Sequence, residues 1–181
     1  MPRDPPTRAR RPPSRWTLDQ DVIEKDYVLG WLLAGIANHA ALNRTWIFKG
    51  GTCLRKCYYE TFRFSEDLDF TVVDDGPEEP EELARIFVEI ADWIREESGI
   101  ALVLDERSFQ RRRNRQDRPT TQGRIAYQGP NGNMNMPKVK VDLTSDELLV
   151  DRPMFRPIGH PYSDRLPIDG VVTYSVTELL G

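Results

Sequence analysis

The sequence predicts an α+β (α/β) domain in which a mixed sheet is flanked by helices. Apolar residues recur at helical spacing in residues 17–41 and again in residues 81–97. Short apolar runs of strand length lie between and after these segments, and residues 138–144 alternate strictly between polar and apolar side chains. A helix–strand–helix–strand–helix order followed by several strands favours one sheet with helices packed on it.

Composition limits the class of protein. The 181 residues suffice for one domain with a sizeable core, which we assign to residues 16–181. Hydrophobic residues make up 39% and charged residues 30% of the chain, and no apolar run reaches the roughly 18 to 20 residues of a membrane span. The N-terminus lacks the apolar segment of a secretory signal. We therefore expect a cytoplasmic protein in which Cys53 and Cys57 are small core residues.

Residues 1–15 form a separate segment. They contain five prolines and five arginines and almost nothing to bury. Such a composition predicts a disordered arm. A solvated tail is favoured over an arm that binds nucleic acid.

The first helix is predicted to begin with Thr17 as its N-cap and to run to about Ala41. It contains the tetrapeptide E-K-D-Y at residues 24–27. Two interpretations remain open for this tetrapeptide: an ordinary exposed helix face, or a role in orienting a later strand.

The stretch from Ile47 to Val72 organises the centre of the chain. A short buried strand (residues 45–48) leads into a turn at Gly50 and Gly51, and a helix is predicted over residues 52–60. A second strand follows over residues 67–73. Because side chains alternate along a strand, Asp67 and Asp69 point to one side and the apolar residues between them to the other.

The remaining elements follow from the same patterns. A helix over residues 81–97 ends at Ser98-Gly99. Strands are predicted over residues 100–107, 123–128, 138–144 and 171–174, with an arginine-rich loop over 110–118, a hairpin turn over 129–137, and irregular chain with one edge strand over 146–169. Residues 175–181 are the start of a further helical region.

The polar residues of this centre suit metal-dependent phosphate chemistry. Two carboxylates in the arrangement of Asp67 and Asp69 can hold Mg²⁺, which prefers oxygen ligands. Asp142 lies on the polar face of a later strand and is a candidate third ligand. Two such ions clamp the attacking and leaving oxygens in phosphoryl chemistry. The turn of Gly50, Gly51 and Thr52 can place backbone N–H groups against the phosphates of an NTP.

Residues around this centre are candidates for neutralising phosphate charge. Lys140 shares the polar face of Asp142, and Lys49 precedes the glycine turn, where it is either a phosphate contact or a surface lysine. Arg63 and Ser65 flank the carboxylates, and Arg63 either touches a phosphate or pairs with a nearby carboxylate. The parity of Glu66 points it away from Asp67 and Asp69.

Charge is unevenly distributed along the chain. Residues 105–124 contain seven basic and three acidic residues, whereas residues 60–97 contain 14 acidic and three basic residues. The basic segment is either a solvated loop or an RNA-backbone clamp, since guanidinium groups suit phosphates. The candidate RNA contacts are Arg111, Arg112, Arg113 and Arg115.

Several motifs together resemble the AbiEii/AbiGii family of nucleotidyltransferase toxins. The central block reads F-K-G-G-T-C-L-R-K and then R-F-S-E-D-L-D-F. The upstream V-I-E-K-D-Y, the strand K-V-K-V-D and the closing Y-S-V-T-E-L-L also match the layout of that family. The resemblance covers roughly residues 19–181.

The resemblance implies a polymerase-β-like nucleotidyltransferase fold. It also implies an enzyme that adds nucleotides from an NTP to the acceptor end of a tRNA and blocks translation, with a cognate antitoxin as partner. By position, Gly51 and Thr52 match the family's Gly-Ser turn, Asp67 and Asp69 match its metal-binding aspartates, and Asp142 matches its third acidic position. The family continues beyond the E-L-L motif into a helix that carries a lysine and an R-D-x-x-D segment, so the resemblance implies an N-terminal catalytic portion.

The sequence is also compatible with two other functions. The same fold could transfer nucleotides to a small molecule or to a protein hydroxyl, and the arginine-rich segment favours RNA over both. A catalytically inactive binding module of the same fold is a further alternative. The complete G-G-T and D-x-D motifs argue against it.

Overall fold

The structure of the chain is a computed structural model that describes residues 19–60, 63–129, 132 and 135–181. The predicted arm (residues 1–15) and the predicted N-cap Thr17 lie outside these residues. So does part of the predicted hairpin turn at residues 129–137.

Helices account for four elements of the described chain. They are α1 (Gln20–Asn38), α2 (Gly50–Cys53), α3 (Pro80–Ser98) and α4 (Val176–Leu180). A π-helical turn, Leu54–Tyr58, directly continues α2. None of the helices in the described ranges is long and apolar enough to cross a membrane.

Eight strands form one mixed sheet in the order β3-β5-β6-β2-β1-β8-β7, with β4 paired to β5 beside this path. They are β1 (Trp46–Lys49), β2 (Asp67–Val72), β3 (Ala101–Val103), β4 (Phe109–Arg113), β5 (Pro119–Gln128), β6 (Lys138–Thr144), β7 (Met154–Arg156) and β8 (Val171–Thr173). Two pairings are parallel, β2 with β6 and β1 with β8, and the others are antiparallel. The predicted mixed sheet with flanking helices is confirmed.

The core lies between α1 and α3 and one face of the sheet. Phe87 of α3 stacks on Trp46 of β1 and on Phe109 of β4, with ring centroids 6.0 and 4.7 Å apart. Alternate residues of β2 and β6 enter the same cluster, including Phe70 and Val141, both fully buried. This apolar face fixes which side chains of each strand must point the other way.

The structure corrects several predicted boundaries. The first helix begins at Gln20 with Asp19 as its N-cap, because the Asp19 carboxylate accepts the N–H of Asp21, and the helix ends at Asn38 instead of Ala41. The strand predicted over residues 100–107 is confined to β3. The helix predicted from residue 52 begins at Gly50.

The predicted arginine-rich loop was also wrong in part. Residues 109–113 form β4, which pairs with the start of β5 in a hairpin. The exposed arginines are compatible with a strand here because β4 pairs with β5 along its length and buries Phe109 against Phe87.

Asp26, in the E-K-D-Y segment of α1, is at the centre of an ionic cluster. Lys56 Nζ lies 3.2 Å and Arg55 Nε 3.4 Å from the same oxygen of Asp26, and the Tyr162 hydroxyl donates to the other oxygen at 2.6 Å. The side chains of Asp26 and Lys56 are 3% and 2% exposed. The interpretation of this segment as an ordinary exposed face is therefore wrong.

Arg55 and Lys25 connect this ionic cluster to the segment between α2 and β2. Arg55 donates to the carbonyl of Glu60 at 2.9 Å and stacks over the ring of Phe64 at 3.5 Å. Lys25, the residue before Asp26 on α1, donates to Glu66 at 2.8 Å. Helix α1 thus holds the chain immediately before Asp67, as the second interpretation of the tetrapeptide expected.

Asp26→Ala should lower the free energy of unfolding by about 3 to 5 kcal/mol, because it leaves the buried Lys56 ammonium uncompensated. Lys25→Ala, one residue away, removes a more exposed ion pair and should cost less than about 1 kcal/mol. Urea unfolding followed by circular dichroism measures both. Equal losses of unfolding free energy for the two variants would contradict the assignment of Asp26 as the centre of the ionic cluster.

Candidate active site

One row of polar side chains crosses the sheet on the face opposite α1 and α3. Cross-strand register places Gln110 of β4 opposite Gln122 of β5, Gln122 opposite Asp142 of β6, and Asp142 opposite Asp69 of β2. Asp69 in turn lies opposite Lys49 of β1. We call this side of the sheet the polar face. The row brings together, from five strands, side chains that are far apart in the sequence.

Three carboxylates of the polar face are neighbours. Asp67 and Asp69 are two residues apart on β2, and Asp142 is the cross-strand partner of Asp69. Burial, followed by the charges of Asp142 and Asp67, raises the pKa of Asp69 to about 6, although Lys49 and Lys140 act in the opposite direction. Carboxylates that repel one another in this way provide the oxygen donors that a divalent cation requires.

Asp142 is neutralised by the protein itself. Lys140 Nζ lies 2.5 Å from one of its oxygens, and the side-chain amide of Gln122 donates to the other at 3.0 Å. Within the described ranges, no group of three His, Cys, Asp or Glu residues is arranged to hold a metal ion as it stands. A cation that binds all three carboxylates would compete with Lys140 and Gln122 for the oxygens of Asp142.

The glycine turn lies directly against the carboxylates. Gly50 has a φ of +81°, and a Cβ at this position would collide with the carboxylate of Asp69. Lys49, at the N-cap of α2, makes no side-chain hydrogen bond to the helix. Water or a phosphate oxygen can accept from the first N–H groups of this helix.

Thr52 and Ser65 differ in their surroundings. The Thr52 hydroxyl is buried and donates to the carbonyl oxygen of Asp67, so it attaches the helix to the start of β2. Ser65 borders the turn, since a Cβ on Gly51 would lie 3.4 Å from its hydroxyl oxygen. Arg63, two residues before Ser65, is exposed.

Lys49 is held in place by groups that the sequence did not single out. Its ammonium donates to Thr144 at 2.7 Å and contacts the carboxylate of Glu147. Glu147 also accepts from Thr71 at 3.0 Å and from Tyr174 at 3.1 Å. Burial raises the pKa of Glu147, but these contacts outweigh it, and the pKa is lowered. Glu147 lies in irregular chain after β6, where no sequence pattern marks it.

The four arginines predicted to contact RNA have different surroundings. Arg111 forms ion pairs with Glu78 and Glu79 at the start of α3. Arg113 bonds back to Asp117 in the turn between β4 and β5. Arg112 donates to Gln110, two residues away on the same side of β4, and therefore lies on the polar face. Arg115 is exposed in the turn.

Comparison with known proteins identifies similar chains. The family model described as nucleotidyl transferase AbiEii toxin, type IV TA system, matches residues 31–181. Among solved structures, the chain is similar to MenT4, a nucleotidyltransferase toxin from Mycobacterium tuberculosis H37Rv, with 21% sequence identity and a TM-score of 0.52. The similarity covers 88% of this chain and 51% of that chain, so this chain spans about half the length of the structure it matches. A search of curated proteins found no match.

Gly50→Ala should destabilise the protein by roughly 1 to 2 kcal/mol or more, because alanine is strained at positive φ and its Cβ meets the Asp69 carboxylate. Gly51→Ala is the matched control, since its Cβ would make ordinary contact with Ser65. Thermal unfolding of both variants measures the difference. A Gly50→Ala protein as stable as Gly51→Ala would show that the turn can move away from Asp69.

Asp69→Asn should make the metal-free protein more stable at pH 7 to 8, by on the order of 1 to 3 kcal/mol. The folded-state pKa of about 6 lies above the ordinary value of 3.8, so wild-type stability falls as the pH rises from about 4 through about 6. The advantage of the variant should therefore disappear near pH 4. Urea unfolding across this range tests the sign, and a gap that widens at low pH would contradict it.

Proposed function

The chain belongs to the AbiEii family of nucleotidyl transferase toxins of type IV toxin–antitoxin systems, and from this premise we propose that it transfers nucleotides from an NTP to RNA in a Mg²⁺-dependent reaction. The acceptor that we propose is the 3′ end of a tRNA, whose modification would block translation in the cytoplasm. A cognate antitoxin would neutralise it.

The observation that carries this proposal is the contact between the glycine turn and the carboxylates of β2. Gly50 packs on Asp69, and Asp142 is the cross-strand neighbour of Asp69. A phosphate-binding turn and acidic ligands must be adjacent for a triphosphate to be held and cleaved at one place.

The donor set fits magnesium. Asp67, Asp69 and Asp142 would hold the metal, two ions in the arrangement that we propose, because carboxylate oxygens are the ligands that Mg²⁺ prefers. When bound, the metal would polarise the α-phosphate and favour the ionised form of the attacking hydroxyl. The raised pKa of Asp69 shows that its ionised form is disfavoured, and a bound cation would stabilise that form.

The remaining residues of the site would bind and orient the substrates. The backbone N–H groups of Gly50, Gly51 and Thr52 would receive the triphosphate, with Ser65 and Arg63 at the border of the turn. Lys49 and Lys140 would offset phosphate charge, and Lys140 is free to do so once a metal replaces it at Asp142. Asp142 would align the acceptor hydroxyl or accept its proton.

RNA is favoured as the acceptor by charge. Basic residues are concentrated in residues 105–124, which form β4, the turn and the start of β5, directly beside the strand that carries Asp142. Phosphate backbones bind such surfaces with an affinity that depends on salt. A small molecule or protein hydroxyl would not require them.

Incubating the protein with α-³²P-labelled NTPs, Mg²⁺ and total RNA should label RNA of tRNA size. Asp67→Asn should lower the rate by at least about 100-fold, because it removes a metal ligand. Glu66→Gln is the matched control, since this adjacent carboxylate precedes β2 and bonds to Lys25 of α1. It should retain most of the activity.

Mg²⁺ binding provides a readout that is independent of activity. Addition of Mg²⁺ should raise the melting temperature of the wild-type protein and of Glu66→Gln more than that of Asp67→Asn. If the label appeared in a small molecule or a protein, that molecule and not RNA would be the acceptor. A protein with neither transfer nor Mg²⁺ binding would support an inactive binding module and contradict the proposal.

A further inference from the structure

The pleat of β4, β5 and β6 divides their basic residues between the two faces of the sheet. On β5 and β6, Thr121, Ile125, Val139 and Val141 are buried on the helix side, so their even-numbered neighbours lie on the polar face. Arg112, Arg124, Lys138 and Lys140 share this face. We call these four residues the basic strip.

Register shows that the basic strip leads to the carboxylates. Arg124 of β5 lies opposite Lys140 of β6, and Lys140 lies opposite Asp67 of β2. Lys138 is two residues before Lys140. Arg112 lies on the strand beyond β5, so the strip extends about three strand spacings, roughly 14 Å, from the strand that carries Asp67 and Asp69.

Hydrogen bonds connect the strip to the site. Arg124 Nε donates to the side-chain oxygen of Gln122 at 3.2 Å, and the amide of Gln122 donates to Asp142 at 3.0 Å. The guanidinium of Arg124 is therefore one glutamine away from a proposed metal ligand. An anion bound by Arg124 would be positioned relative to that ligand.

Arg124 and Lys140 are cross-strand neighbours of like charge, and Lys140 also contacts Asp142. Like charges directly opposite one another on neighbouring strands are destabilising. Both side chains are at least partly accessible to solvent, so a bound anion could reach them. A phosphate between them would convert the repulsion into two charge-assisted hydrogen bonds.

The helix side of the same strands has the opposite character. Arg111 is occupied by Glu78 and Glu79, and α3 carries further exposed acidic residues. On these strands, a polyanion would therefore be attracted to the basic strip and repelled by the helix side.

We propose that the basic strip binds the phosphate backbone of the RNA acceptor just before its 3′ end. The inference rests on the proposed function and assigns the side from which the acceptor enters. In an in-line displacement the attacking hydroxyl and the leaving pyrophosphate lie on opposite sides of the α-phosphorus. The glycine turn lies on the β1 side of Asp69 and the basic strip on the β6 side. The triphosphate occupies the first side, so the RNA occupies the second.

Equilibrium RNA binding tests this assignment without requiring transfer. The probe is an RNA hairpin with a single-stranded 3′ end and a fluorescent 5′ end, titrated at several salt concentrations without NTP. Arg124→Gln and Lys138→Gln should each weaken binding about 3- to 10-fold and reduce the salt slope by about one. Arg85→Gln, which removes an exposed arginine from α3, is the matched control and should leave the affinity unchanged.

Binding of each NTP with Mg²⁺, measured by calorimetry, is the second arm. It should be unaffected by Arg124→Gln, and the melting temperature of this variant should not fall, since its substitution removes a repulsion.

Weaker NTP binding with unchanged RNA binding would overturn the inference and assign the strip to the triphosphate. The inference would also be overturned if the protein bound no RNA, or if Arg124→Gln and Lys138→Gln lost no more RNA affinity than Arg85→Gln. A protein that binds RNA through the strip yet labels none would contradict the proposed function and leave the strip intact.

Discussion

The parallel pairing of β2 with β6 is the constraint on which the site depends. Its register sets Asp69 opposite Asp142 and Asp67 opposite Lys140. A shift of one residue would turn every side chain of β2 to the other face. The register is secured from the opposite face, where Leu68, Phe70 and Val141 are buried against the helices. The apolar core thus determines which carboxylates meet.

This pairing concentrates like charges, and the surrounding groups offset them. Lys140 and Gln122 contact Asp142, whereas Lys49 lies opposite Asp69 and is itself held by Glu147. Burial and the charges of Asp142 and Asp67 nevertheless keep the pKa of Asp69 raised to about 6. A site that keeps residual negative charge, and whose lysine can be displaced, is better suited to bind a cation than a site in which the carboxylates are permanently paired.

Helix α1 aligns the two halves of the site from the other side of the sheet. Consecutive residues, Lys25 and Asp26, bind the chain before β2 and the helix after the glycine turn. A buried ion pair such as that of Asp26 and Lys56 contributes little net stability compared with an apolar pair. Its directional contacts restrict instead how the helix after the turn can sit relative to Asp67.

The sequence by itself determined the local elements and the proposed metal ligands, and tertiary structure decided their partners. Alternation along Lys138–Thr144 and Asp67–Val72 is a local property, so those strands and the shared direction of Asp67 and Asp69 could be predicted. The motif resemblance added the family. Glu147, Gln122 and Arg124 could not be found in this way, because their roles depend on cross-strand register and on irregular chain. Arg111 and Arg112 face opposite sides of the sheet because residues 109–113 form a strand, where the sequence had predicted a loop. Which strands pair, and in which register, is set by long-range burial of apolar side chains, and local patterns do not encode it.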